Sequence, residues 1–213
     1  MQSSHKFNLA DVWISCSIAF LLWGVMFSKW TSPYIDFWDC MLRVCIVLSF
    51  WASIKGVKWW KEVVPISFSQ IAIGTGLAIL MWGIFWVGDK VSSFIFPFER
   101  AQVESIYSLK EGGNVLWIGL SLFFVIGPTE EIFWRSYVQR KLMFRYGRNA
   151  GFILATLIYT GIHLFSFNFM LIMSALVLGI VWGLFYRFFP QYLFALILSH
   201  ALWDTLSFCV FPF

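Results

Sequence analysis

Long apolar runs separated by short polar segments dominate the chain. A helix that crosses the ~30 Å hydrocarbon core of a bilayer needs about 20 mostly apolar residues. Runs of roughly this length predict seven spanning helices, separated by short turns that contain proline, charged or small polar residues. Their predicted bounds are 11–30, 37–54, 68–87, 114–146, 150–165, 169–188 and 191–211.

Two segments do not fit a simple span. As one helix, residues 114–146 would be ~50 Å long, so we expect this helix to protrude or bend, with Pro128 as the bend. The polar stretch 89–113 predicts a short interfacial helix that starts at Glu99. There is no internal repeat, low-complexity tract or flexible linker, so we predict one all-α transmembrane domain over residues 1–213.

Composition excludes the soluble classes. The chain is 60% hydrophobic, 21% aromatic and only 12% charged, whereas soluble domains contain about 25% charged residues. A soluble domain of this size could not cover so much apolar surface. The net charge of +4 comes from short basic clusters beside apolar runs, which is typical of membrane orientation and gives no reason to expect a nucleic-acid partner.

The distribution of basic residues predicts the orientation. With seven alternating spans, nine lysines and arginines fall on one side, and the four on the other side are offset by six acidic residues. The nine are Lys6, Lys55, Lys58, Lys61, Arg140, Lys141, Arg145, Arg148 and Arg187. We therefore expect the N-terminus in the cytoplasm and the C-terminus outside.

Ionisable groups inside membrane helices are costly and by default mark function. Apart from the basic residues near their ends, the last four predicted helices contain a small set of them: Glu130, Glu131, Arg135, His163, His200 and Asp204. Measured from the predicted helix ends, Glu130 lies ~12 Å, His200 ~15 Å and His163 ~20 Å into the membrane. We therefore expect one polar layer near the membrane centre, with the active site in these last four helices.

The spacings within each helix suggest how these side chains are used. Glu131 and Arg135 are four residues apart and can pair on one helix face. Glu130 is offset by one residue and is free to face a cavity. His200 and Asp204 are also four residues apart, so the carboxylate can orient the imidazole, or both can line one site.

Three motifs carry a resemblance to a known family. Glu130-Glu131-Ile-Phe-Trp-Arg135 matches the EExxxR motif of the CPBP family of intramembrane endopeptidases (the CAAX protease and bacteriocin-processing, or Abi, family). Tyr159-Thr-Gly-Ile-His163 resembles its FxxxH motif, and His200-Ala-Leu-Trp-Asp204 resembles its HxxxN or HxxxD motif. Order and spacing both fit, and the resemblance covers roughly residues 114–211, the expected catalytic core.

The resemblance implies a glutamic-type protease that needs no metal or cofactor and cleaves membrane-associated proteins or peptides. Glu130 is then the general base that activates a water molecule, and His163 holds that water. His200 donates to the oxyanion with help from Asp204. Glu131, Arg135 and Tyr159 are expected to support the site.

Two residues depart from the family pattern. Tyr159 replaces the usual Phe, a mild change. Asp204 stands where CAAX-type members typically have Asn, and an ionised carboxylate cannot donate to an oxyanion. Asp204 is therefore either protonated or serves only to orient His200.

Two other functions stay open. A zinc metalloprotease could use His163, His200 and a carboxylate as ligands, although the HExxH helix is absent. A non-enzymatic protein could use the buried Glu, His and Asp as a proton-coupled transport path or bind membrane partners. The compact size is typical of a prokaryotic member, which predicts the prokaryotic cell membrane as the location. Whether the substrate is prenylated is left undecided.

Overall fold

The protein is a bundle of helices that run back and forth across the membrane. A computed structural model describes residues 8–55, 58, 61 and 66–213, which leaves Lys6 outside the described residues. Within the described part, seven helices are long and apolar enough to cross a membrane and no strand is present. The prediction of an all-α polytopic bundle is therefore confirmed.

Eight helices in chain order form the framework of the described residues. Seven are the spans, and α4 is the short helix predicted to start at Glu99. Their bounds are α1 Leu9–Phe27, α2 Phe37–Ile54, α3 Phe68–Ile95, α4 Glu99–Tyr107, α5 Val115–Tyr146, α6 Arg148–Gly161, α7 Phe169–Phe188 and α8 Leu193–Thr205. A 3-10 turn, Ile162–Ser166, extends α6. The turn Pro190–Tyr192 precedes α8, and the π-helical segment Leu206–Val210 follows it.

The third span is longer than predicted. The expectation ended it at residue 87 because charged residues follow, but α3 continues to Ile95. Asp89 and Lys90 lie on its last turns and form an ion pair of 2.9 Å, so the charges do not interrupt the helix. The helix ends at Ile95, because the next residue, Phe96, precedes Pro97 and is extended, and a residue before proline disfavours the α conformation.

The long helix α5 passes Pro128 without a break. Two π-helical segments, Leu122–Ile126 and Ile132–Gln139, flank the short α-helical segment Gly127–Glu131. Pro128 has no N–H to donate, and the Thr129 hydroxyl donates to the Val125 carbonyl at 2.6 Å. The wider π turns change the angular spacing of side chains along α5, directly before and after the two glutamates.

Charged side chains show which helix ends lie together. Lys55 Nζ at the end of α2 lies 3.0 Å from Asp11 Oδ1 at the start of α1, and Lys141 Nζ in the last turns of α5 donates to the Lys55 carbonyl. At the other end, Lys110 Nζ donates to the Phe208 carbonyl at 2.7 Å. This arrangement is the one that alternating spans require.

Close packing between α3 and α8 depends on a glycine. Helices in lipid gain little from the hydrophobic effect, so small residues at their contacts matter more than in water. A Cβ at Gly74 would lie 2.7 Å from the Ala195 carbonyl oxygen and 3.1 Å from the Leu198 Cβ. Even an alanine therefore pushes α3 away from α8.

We predict that Gly74→Ala lowers the free energy of unfolding by about 1–3 kcal/mol, because the added methyl group overpacks the α3–α8 contact. Gly76→Ala is the matched control, since a Cβ there meets nothing within 4 Å. Its only effect should be a gain in helix propensity of up to about 1 kcal/mol. Unfolding in mixed micelles with increasing denaturing detergent measures both, and equal effects of the two substitutions would contradict the prediction.

Candidate active site

A cavity of about 470 Å³ brings together the four residues predicted to be catalytic. It lies between the seven helices α2 to α8 and the turn after α6. Glu130 from α5, His163 from the 3-10 turn, and His200 and Asp204 from α8 all line it, as does Tyr159. Three separate segments therefore meet at one cavity, as their similar depths led us to expect.

The two adjacent glutamates face different surroundings. Glu130 lines the cavity, and its carboxyl has no hydrogen bond to the described residues. Glu131 is fully buried behind the cavity wall, where its Oε1 lies 2.8 Å from His200 Nδ1. Successive residues on a helix point about 100° apart, so one α-helical segment serves both positions. Only Glu130 is placed to meet a substrate.

Both nitrogens of His200 are held by carboxyl groups. Nδ1 lies 2.8 Å from Glu131 Oε1, and Nε2 lies 3.2 Å from Asp204 Oδ2. When both carboxyls are ionised, each nitrogen must carry a proton to form these contacts. Asp204 therefore orients the ring from the cavity side, while Glu131 holds it from the core.

A close contact between α5 and α8 allows Glu131 to reach His200. A Cβ at Gly127 would lie 3.0 Å from both the backbone N and the Cα of Ala201, the residue after His200. Any larger residue at Gly127 would separate the helices one turn from Glu131. The short Glu131–His200 distance thus has its cause in backbone packing.

Arg135 neutralises the buried Glu131 carboxylate. Its Nε lies 3.4 Å from Glu131 Oε2, an ion-pair contact whose geometry is not that of a hydrogen bond. The guanidinium also lies over the aromatic rings of Tyr159, at 4.8 Å, and Trp182, at 5.8 Å. Aromatic faces favour a nearby cation, which lowers the cost of keeping this charge buried.

Trp182 is a residue of the site that the sequence analysis missed. Its ring stacks on His200 at a centroid distance of 4.1 Å and an angle of 27°. The side chain is fully buried, and its Nε1 donates to the Ser199 hydroxyl at 3.2 Å. Trp182 thus fixes the plane of the His200 ring. Trp182 lies in an apolar helix that contains none of the three motifs, so its contact with His200 is visible only in the structure.

His163 offers one ring nitrogen for chemistry. Its Nδ1 lies 2.9 Å from the Tyr159 carbonyl oxygen, within the turn that ends α6. A carbonyl can only accept, so Nδ1 carries the proton. Nε2 is then the nitrogen that remains for a molecule in the cavity. In a neutral ring, Nε2 is a hydrogen-bond acceptor.

The early helices supply much of the cavity wall. Trp38 and Met41 from α2 and Phe85 from α3 line it together with Trp203 of α8. The Phe85 and Trp203 rings lie 4.6 Å apart. The active site was expected in the last four helices alone, because apolar residues that face a cavity and those that face lipid look alike in sequence.

A zinc site needs several metal-ligating side chains close together. Within the described part of the chain, no three His, Cys, Asp or Glu side chains are grouped so that they could hold a metal ion. His200 has both ring nitrogens engaged by carboxyl groups. The geometry therefore gives no support to the zinc alternative.

Comparison with known proteins adds one finding. Residues 112–206 match the family model described as type II CAAX prenyl endopeptidase Rce1-like. The matched segment contains all three motifs, from Glu130 to Asp204. No curated protein and no solved structure matches the chain significantly.

We predict strong coupling between Glu131 and Arg135. Removing one partner leaves an uncompensated buried charge, so Glu131→Leu and Arg135→Met should each cost about 3–5 kcal/mol of unfolding free energy. The double variant should cost at least about 1 kcal/mol less than the sum of the two.

A double-mutant cycle of detergent unfolding measures this coupling. The control is the same cycle on Arg100 and Glu104, a pair of 3.1 Å whose side chains are 60% and 64% exposed. Its coupling should stay below about 0.5 kcal/mol, because water screens it. Additive effects at Glu131 and Arg135 would show that the buried contact does not stabilise the fold.

Proposed function

Residues 112–206 form an Rce1-like domain of the CPBP family of intramembrane endopeptidases, and from this premise we propose that the protein is a glutamic-type protease that cleaves membrane-associated proteins or peptides. One observation carries the proposal. Glu130, His163 and His200 come from three separate segments and line one cavity. Glu131 and Arg135, which share the first motif, support the site from outside the cavity.

Glu130 begins the reaction as general base. Its carboxylate takes a proton from a water molecule, and the water oxygen attacks the carbonyl carbon of the scissile bond. His163 accepts a hydrogen bond at Nε2 from the second O–H of this water, because its Nδ1–H is engaged by the Tyr159 carbonyl. Held between Glu130 and His163, the water is oriented before the substrate carbonyl arrives.

His200 stabilises the negative charge that develops on the substrate oxygen. The Nδ1–H of His200 donates to Glu131. The second ring proton of His200 is then on Nε2, the nitrogen on the cavity side. In the resting site Asp204 holds this Nε2–H. When the oxyanion forms, Nε2–H donates to it. Collapse of the intermediate breaks the C–N bond, and protonated Glu130 passes its proton to the leaving amine.

The cavity suits an apolar substrate segment. Its volume of about 470 Å³ and its many aromatic and methionine side chains fall within the usual range for ligand sites. The name of the matched family makes a prenylated C-terminal segment the first substrate chemistry to test. We propose that such a segment enters from the membrane and places its scissile bond at Glu130.

We also propose an orientation in a prokaryotic cell membrane. The basic residues at the ends of α2 and α5 lie at the same end of the bundle as the start of α1. Positive charges are enriched on the cytoplasmic side of membrane proteins. This end, with the N-terminus, is therefore placed in the cytoplasm.

The first test removes the proposed base. We predict that Glu130→Gln lowers proteolysis by about 10²–10⁴-fold, because the nearly isosteric amide cannot take a proton from water. The measurement compares protein termini in membranes from cells that carry either form at equal level. Glu104→Gln on the exposed face of α4 is the control and should keep activity. Identical termini in Glu130→Gln and unaltered cells would rule out the protease.

The same cells distinguish the other functions. Activity that disappears on treatment with a chelator and returns with zinc would favour a metalloprotease. A phenotype that is fully kept in Glu130→Gln cells would favour transport or binding.

A second test concerns Asp204. We predict that Asp204→Asn keeps activity within about tenfold, because an amide accepts from His200 and can also donate to the oxyanion. Asp204→Leu should lower kcat by about 10²–10³-fold, since His200 loses its partner on the cavity side. Cleavage assays on purified protein measure both. If Asp204→Asn were as inactive as Asp204→Leu, an ionisable group at this position would be required.

A further inference from the structure

The cavity has a second cluster of polar side chains, away from Glu130. Asp89, Phe96, Glu99 and Tyr107 line what we call the peripheral end of the cavity. Asp89 lies one turn beyond Phe85, which packs on Trp203. Tyr107 packs on Phe208, one turn beyond Asp204. Both helices therefore place this end about one helical turn, or ~6 Å, further along the bundle than Asp204.

Glu99 is buried at the peripheral end without a cationic partner. It is 1% exposed, and among the described residues its Oε1 has no hydrogen-bond partner. The charged group that acts on Glu99 most strongly, Asp89, is also a carboxylate. A buried carboxyl oxygen at a cavity wall with no partner is costly. A ligand in the cavity could satisfy it.

The nearest cations pair with carboxylates other than Glu99. Lys90 Nζ binds Asp89 Oδ2 at 2.9 Å. Arg100 Nε binds Glu104 Oε1 at 3.1 Å, and its side chain is 60% exposed. Neither forms an ion pair with Glu99. The peripheral end thus presents a carboxyl group to the cavity that the described part of the chain does not neutralise.

The electrostatics of Glu99 agree with this geometry. Burial, and next the nearby Asp89 carboxylate, raise the pKa of Glu99, while Arg100 and Lys90 oppose the shift less strongly. Glu99 therefore keeps its proton to a higher pH than an isolated glutamate would. A bound cation would take the place of that proton.

Aromatic rings complete the peripheral end. Phe96 and Phe169 both line the cavity and pack edge to face at 5.3 Å, and Tyr107 lines the same region. Aromatic faces beside a carboxylate suit an ammonium or guanidinium group with an apolar stem. A free carboxylate would instead be repelled.

We propose that Asp89 and Glu99, with the surrounding rings, form a specificity subsite that binds a lysine or arginine side chain of the substrate. This inference rests on the proposed protease function. An extended peptide advances about 3.3 Å per residue. The basic residue therefore lies on the order of two to four residues from the scissile bond. A substrate without it binds more weakly but is cleaved by the same chemistry.

The test measures peptide binding without cleavage. The protein carries Glu130→Gln, so hydrolysis does not interfere, and is studied in detergent or nanodiscs. The probes are fluorescent peptides with an apolar core that carry lysine or norleucine at one position, moved stepwise along the chain. Norleucine keeps the apolar stem and removes only the charge. We expect lysine to strengthen binding about tenfold at one register.

Variants then assign the preference to the subsite. Adding Glu99→Gln should reduce the lysine-to-norleucine ratio to about one and leave norleucine binding unchanged. Glu104→Gln on the same helix should keep the ratio. If Glu99→Gln does not fold, Asp89→Asn makes the same test from α3. A conserved ratio in the folded subsite variant would overturn the proposal, and so would equal loss of both peptides.

The binding experiment distinguishes failure of the subsite proposal from failure of the proposed protease function. Tight, equal binding of lysine and norleucine peptides at every register would overturn the subsite alone. Binding of no peptide to any form would overturn peptide recognition by the cavity, and with it both proposals.

Discussion

A carboxylate that is buried among membrane helices has to be neutralised by its neighbours, and Glu131 places this constraint on the whole bundle. It contacts His200 through Oε1 and Arg135 through Oε2. Arg135 in turn lies against the rings of Tyr159 and Trp182. The neutralisation of one charge therefore joins α5, α6, α7 and α8. Because an unpaired charge in this setting would cost several kcal/mol, each helix has little freedom to shift.

The backbone of α5 directs Glu130 toward the cavity while Glu131 faces the core. A regular helix would still place consecutive glutamates on different faces, but the cavity and the core need them at particular angles. The π segments before Gly127 and after Glu131 set those angles, and Gly127 brings α8 close enough for the contact with His200. The carboxyl that faces the cavity and the carboxyl that faces the core are thereby one residue apart in sequence and separated by the cavity wall.

The residues best predicted from the sequence are those whose burial in a membrane costs free energy. Ionisable side chains in apolar runs are few, so Glu130, His163, His200 and Asp204 could be selected from the chain. The structure brings these four to one cavity. The same reasoning could not select Trp182, Phe85 or Trp38, because an aromatic residue in a membrane helix has the same sequence pattern whether it faces lipid, core or cavity. Helix ends were also less certain, as the extension of α3 past Asp89 shows.

By itself, the sequence determined the class of the protein, the number of spans, the approximate depth of each polar group and the family pattern of its motifs. These follow from hydropathy and helix geometry, which are local properties. Only the tertiary structure decided that Asp204 contacts the cavity side of His200 while Glu131 holds its core side. It also decided that Asp89 and Glu99 share the cavity with Glu130. The rotation of a helix about its axis and the choice of its neighbours depend on packing between segments that are distant in sequence. Hydropathy does not report this packing.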